Sequence, residues 1–176
     1  MVSSLLEKPN DKNSLKHEDH EKAVILQRQF CGVFTREPAG ELPEFKKRTE
    51  CLISNICITK EMIKNEIAHL DQNKSFGPDT IHPKMLMSLS DYLSELLALI
   101  MNTSLTEGLL PKDWKEAHIV PIYKNKGAQN LAVNYRHVSL TSVVCKVMES
   151  ILRKHIMEHL MEQNLLSNKQ YGFIKN

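Results

Sequence analysis

Ala117-His118-Ile119-Val120-Pro121-Ile122-Tyr123-Lys124 and, after the polar loop Asn125 to Asn134, Tyr135-Arg136-His137-Val138-Ser139-Leu140 decide the fold class of this 176-residue chain. Both runs are short and period-two, whereas the sequence on either side repeats its apolar residues at three and four. Pro121 has no N–H to give a ladder and marks an edge or a strand end. Two such runs joined by a polar loop predict an antiparallel hairpin with Lys124 and Lys126 near its tip.

Outward from the hairpin the pattern is helical. From Ser142 to about Gln163, Val144, Val147, Met148, Ile151, Leu152, Ile156 and Leu160 build one broad apolar face. Upstream, Asp91 is placed to cap a helix carrying Leu93, Leu96, Leu97, Ile100, Met101 and Leu105, and Gly108 stands where a left-handed residue ends it cheaply. Pro83 suits the first turn of a short helix ending near Ser90. Thr59 caps a helix from Lys60 to about Leu70 with Met62, Ile63, Ile67 and Leu70 on one stripe. Between these helices, Asn73-Lys74-Ser75-Phe76-Gly77-Pro78-Asp79 is turn sequence. Trp114 reads as an anchor packing the Pro111 turn. Residues 35–50 read as a linker, Asp19 as the cap of a helix from His20 to about Gly32 with Ala23, Leu26, Gln27 and Phe30 at helical spacing, and residues 1–18 as unstructured. The expected class is α+β, predominantly helical, with one short antiparallel hairpin; the expected division is 1–57 (polar segment, one helix, linker) and 58–176.

Composition excludes several classes. No apolar run approaches the roughly 18 to 20 residues that span a bilayer, and no apolar core follows Met1 as in a signal peptide, so no membrane partner and an intracellular setting, nucleus or cytoplasm, are expected. Four cysteines, Cys31, Cys51, Cys57 and Cys145, are too few and too scattered for a disulfide framework. Six glycines and 6% aromatics speak against an all-β sandwich.

The net charge of +2 hides an asymmetry. Residues 1–111 hold 13 Lys/Arg against 16 Asp/Glu, and residues 112–176 hold 10 against 5. No acidic residue occurs from Ala117 to Met148, a window carrying Lys124, Lys126, Arg136 and Lys146. A surface facing polyphosphate needs such a window, because each carboxylate would cancel a phosphate contact. His155-Ile156-Met157-Glu158-His159 fits the H-x-x-E-H zinc pattern of one peptidase group, a remote alternative that needs a third ligand from a sequence with little to offer downstream. Another alternative is a non-catalytic module that binds nucleic acid through the basic hairpin or docks a partner helix on the apolar face of residues 144–160, with self-association if that face is uncovered.

The motifs stand in a familiar order. Asn73-Lys74-Ser75-Phe76-Gly77-Pro78-Asp79 resembles N-K-S-x-G-P-D, and Gly108-Leu109-Leu110-Pro111-Lys112-Asp113-Trp114-Lys115 resembles G-x-x-P-x-x-W-K. Val120 to Lys124, Asn134 to Ser142, and Gln170-Tyr171-Gly172-Phe173 follow. Together they resemble the reverse transcriptase of LINE-type (non-LTR) retrotransposons of the jockey and chicken-repeat sort, from about Ile58 to Phe173. The resemblance implies the fingers and the start of the palm of a right-hand polymerase, with RNA template, primer DNA and deoxynucleoside triphosphate as partners. It implies that Lys124 and Arg136 grip the triphosphate tail, with Lys126 on the same loop. His137 stands where the family usually has proline, which loosens the backbone beside Arg136. The family holds Mg²⁺ on palm aspartates that follow the Q-x-G-F motif; here the last aspartate is Asp113 and no Asp-Asp pair occurs. No catalytic or metal-binding residue is therefore assigned, and the chain alone is expected to be inactive.

Overall fold

The computed structural model describes residues 2–35, 40, 48–53, 55–167 and 172. In chain order the elements are β1 (Leu5–Leu6), β2 (Leu15–Lys16), α1 (Asp19–Cys31), α2 (Lys60–Ala68), α3 (Pro83–Ser88), α4 (Ser90–Glu107), β3 (Ala117–Tyr123), β4 (Tyr135–Thr141) and α5 (Val143–Glu162). Short 3-10 turns occupy Lys12–Ser14, Lys112–Lys115 and Ala132–Asn134. The α+β class is as expected. Most of the linker read over 35–50, and Gln170, Tyr171 and Phe173 of the last motif, lie outside the described residues. The chain divides into two compact units, Met1–Leu42 with His118–Leu140 and Pro43–Ala117 with Thr141–Asn176.

The second of these units is helical. Thr59 Oγ1 accepts from Met62 N at 3.2 Å and starts α2 as its sequence suggested. Ile63 and Ile67 of α2, Leu97 and Met101 of α4, and Val144, Val147, Met148 and Ile151 of α5 meet in one core, with Trp114 of the Pro111 turn packed against it. Burying each such side chain is worth about 1.5–3 kcal/mol. Gly108, at φ 66°, ends α4 in the left-handed conformation. Asp91 does not cap α4: the helix begins one residue earlier, and the Asp91 carboxylate instead takes Lys64 Nζ at 2.5 Å. The apolar face of α5 is most deeply buried over its first half. Val144, Val147, Met148 and Ile151 are buried in this core, whereas Ile156 is 45% exposed.

Cys145 lies in the first turn of α5, buried. Burial, with the Glu149 carboxylate nearby, pushes its thiol up from the ordinary 9.0 to about 11. Burial penalises the thiolate and not the thiol, so this group leaves stability unchanged below about pH 9 and lowers it as pH rises through 11. Thiolate is the reactive form. Alkylation of the native protein by iodoacetamide at pH 8 is therefore expected to mark the exposed Cys31, Cys51 and Cys57 and spare Cys145. Mass spectrometry of the digest checks this, and rapid labelling of Cys145 would contradict it.

The first unit departs from its sequence reading. Residues expected to be unstructured form β1 and β2, paired antiparallel with Leu5 opposite Lys16 and Leu6 opposite Leu15. Two-residue strands have no period to read. What fixes them is non-local: Leu5 is fully buried against Leu26 of α1 and Tyr135 of β4. Helix α1 begins at Asp19, but Glu18 supplies no side-chain cap and Asp19 pairs with Lys22 at 2.6 Å. Of its expected stripe, Leu26 is buried while Ala23 and Gln27 are exposed.

Candidate functional site

Strands β3 and β4 form a two-stranded sheet, antiparallel as expected, and Lys124 N donates to Asn134 O at 2.8 Å beyond its end. The rings of Tyr123 and Tyr135 meet across the pair at 5.7 Å. Alternation along each strand then sorts every other side chain. Ile119, Pro121, Tyr123, Tyr135 and His137 take one face. Val120, Ile122, Lys124, Arg136 and Val138 take the other.

The first face meets α1. His137 packs its ring on Phe30 at 5.3 Å and on Phe34 at 6.4 Å. An open, mostly apolar groove of about 770 Å³ runs there between Ala23, Phe30, Phe34, Pro121 and His137. In this chain the residue in the family's proline position is thus an aromatic partner of α1, a role that the sequence did not suggest.

The second face carries the predicted cations. Lys124 follows the last residue of β3 and Arg136 is the second residue of β4, and both are exposed. Arg136 and Lys126 are exposed, and their side chains have no hydrogen bond or ion pair to any described residue. Lys124 Nζ donates to Val133 O at 2.8 Å. One of its three donors is therefore used within the loop and two remain. No acidic residue lies on this hairpin. Arginine offers phosphate oxygens a planar fork and lysine a point charge. Chemically, the face suits a polyanion.

The loop between the strands is tightly tied. Tyr123 Oη donates to Gly127 O, Asn134 Nδ2 to Ala128 O at 2.7 Å, and Tyr135 Oη to Gln129 O at 2.8 Å. The N-terminal segment adds Ser3 Oγ onto Gln129 O at 2.9 Å and Leu6 N onto Asn130 O at 2.8 Å. Sequence reasoning missed Ser3, Leu6 and Tyr135. The two tyrosines flanking the loop were a signal, since a strand-end Tyr buried by its ring needs a partner for its hydroxyl.

Metal chemistry finds no support in the donor set. Asp71 Oδ1 accepts from Asn73 N, Asp79 Oδ1 from Ile81 N, and Asp91 holds Lys64. Among the described residues no three His, Cys, Asp or Glu side chains gather as a metal site. The carboxylates here do not fit Mg²⁺, and none is assigned to it. The same observation leaves His155 and His159 without a third zinc ligand among the described residues; His155 Nδ1 instead meets Ile151 O at 2.9 Å.

No family model matches the chain. Over 116 residues, 66% of its length, it is 32% identical to the RNA-directed DNA polymerase from mobile element jockey of Drosophila melanogaster. The same length gives 32% identity to the probable RNA-directed DNA polymerase from transposon BS of that species. The polymerase from mobile element jockey of Drosophila funebris is 30% identical over 117 residues. The chain spans 13% of the length of each of these relatives. Motif order and sequence similarity agree, and they mark this chain as similar to a limited stretch of the LINE-type reverse transcriptases of jockey and BS elements.

Proposed function

We propose that the chain is a fingers-side piece of a retrotransposon RNA-directed DNA polymerase, with residues 58–176 as the N-terminal part of a right-hand reverse transcriptase domain. Its own contribution is to hold phosphate oxygens of the incoming nucleotide and of the template through Lys124, Arg136 and Lys126. The observation that supports this reading is that Lys124, Lys126 and Arg136 are all exposed on a hairpin that carries no acidic residue. Nucleotidyl transfer depends on positioning and on neutralising the triphosphate, and two cations on a fixed hairpin meet that need. The reaction's Mg²⁺, its catalytic aspartates and its primer DNA belong in this reading to the complete enzyme. The chain alone extends no primer.

Binding to a single-stranded RNA and to a deoxynucleoside triphosphate tests the reading. Lys124→Ala/Arg136→Ala is expected to weaken RNA binding at low salt about tenfold or more, two lost phosphate contacts at about 1 kcal/mol each outweighing any side-chain entropy regained. Affinity that the double variant leaves unchanged would refute the assignment.

A further inference from the structure

We infer that Ser3 and Tyr135 are positioning residues for the basic loop, and that the N-terminal segment straps this loop into a receptor for phosphate oxygens. The inference rests on the reading above and adds to it a second set of donors, the loop backbone.

The carbonyls of Gly127, Ala128, Gln129, Asn130 and Val133 all accept hydrogen bonds. Two of those bonds come from the first six residues, and a third, from Tyr135 Oη, shares Gln129 O with Ser3 Oγ. Ser3 Oγ and Tyr135 Oη also lie 3.0 Å apart, so the two hydroxyls and one carbonyl form a closed triangle. Tyr135 is buried, which fixes the position of its hydroxyl at Gln129 O. By contrast, the backbone amides of Asn125 to Asn130 meet no acceptor among the described residues. Asn125 at φ 55° and Gly127 at φ 80° are left-handed with a residue of negative φ between them. Alternating handedness of this kind turns successive N–H groups toward one side, as in backbone nests that hold anions. The loop is left with engaged carbonyls, free amides and two lysines. From Gly127 to Asn130 the backbone carbonyls are engaged and the amides are not, so this stretch turns backbone donors toward a ligand, and phosphate oxygens are acceptors.

The strap is also what a mobile loop would lack. Without it the loop must be ordered when the anion binds, and that entropy subtracts from affinity. Phosphate oxygens reach such a site from a free triphosphate tail or from a nucleic-acid backbone, and the two sources are separable by experiment.

Ser3→Ala/Tyr135→Phe removes both hydroxyls and keeps the ring that packs on Leu5 and Leu26. Binding of inorganic tripolyphosphate and of a short single-stranded RNA is measured across a salt series for wild type, this variant and Lys124→Ala/Arg136→Ala. Amide exchange is followed at Leu6, Lys124 and Leu131, whose N–H groups are bonded to or from the loop. The strap variant is expected to exchange these amides about tenfold faster, to bind about tenfold more weakly, and to keep the wild-type salt slope, because no cation is lost. The cation variant is expected to lose slope, by about 0.7 per phosphate contact on RNA, with exchange unchanged at Leu6, whose bond to Asn130 O does not depend on the Lys124 tie to Val133 O. Tripolyphosphate binding identifies the triphosphate source, and RNA binding alone identifies the backbone source. A strap variant that binds like wild type overturns the strap and leaves the cation assignment standing. Wild-type protein that binds neither anion overturns both.

Discussion

Gly77→Ala is expected to destabilise the unit built on α2, α4 and α5 by about 3 kcal/mol, at the upper end of what overpacking costs. Gly77 is buried in the Asn73–Asp79 turn, and a Cβ there would stand 2.6 Å from Ser142 N, Thr141 C and Thr141 O. These are backbone atoms, so no rotamer change makes room. They also belong to the entry of α5, where the fully buried Ser142 accepts from Cys145 N at 3.2 Å and caps the helix. Pushing that backbone away strains the cap as well as the turn, and a lost cap alone costs about 1 kcal/mol. Gly108→Ala is the control. Gly108 has φ 66° but open space around it, so alanine meets only the conformational penalty of about 1 kcal/mol. Urea denaturation of both variants decides the matter: equal midpoints would mean that close approach is not what Gly77 provides.

That close approach explains why the N-K-S-x-G-P-D motif is legible as a turn but not as a packing surface. Turn chemistry is local, and Gly77-Pro78-Asp79 announces it. The partner of the glycine lies more than sixty residues downstream, and nothing in the turn names it. The same division runs through the chain. Thr59, Gly108 and the three-and-four spacing of α2, α4 and α5 act on their own neighbours, and the elements appear where they were read. The hairpin was legible because period two and Pro121 are local signals too. Asp19 and Asp91 misled as caps because a carboxylate at a helix start serves equally well by facing a lysine, here Lys22 and Lys64. Strands β1 and β2 were invisible because their reason for existing is Leu5 buried beside Tyr135 and Leu6 bonded to Asn130. At the site, the acid-free basic window was legible, and its Lys124, Lys126 and Arg136 are exposed. The ties that hold the loop between them come from residues 3 and 6, and loop composition carries no trace of those.

Asn102 is the second residue whose loss should be felt through the whole helical unit, with Asn102→Ala costing about 2–4 kcal/mol. Asparagine inside α4 is a poor helix former and reads as a surface accident, but its amide is fully used. Oδ1 accepts from Ile58 N at 2.9 Å, while Nδ2 donates to Ile58 O at 2.8 Å and to Ala98 O at 2.9 Å. The side chain thus acts as a strand partner for one residue, next to the Thr59 cap, and fixes where α2 begins. Ile58 is itself 2% exposed. Alanine would leave its N–H and C=O buried with no described partner, at about 1–3 kcal/mol for each group. Asn102→Asp separates this account from simple loss of volume. The carboxylate keeps the acceptor for Ile58 N but sets a negative oxygen against Ile58 O. Below about pH 4, the ordinary aspartate range, a protonated carboxyl donates to that carbonyl again. The stability gap between Asn102→Asp and wild type, measured by denaturation at matched pH, should therefore narrow as pH falls. A gap that stays constant or widens would show that pairing with the Ile58 backbone is not what Asn102 contributes.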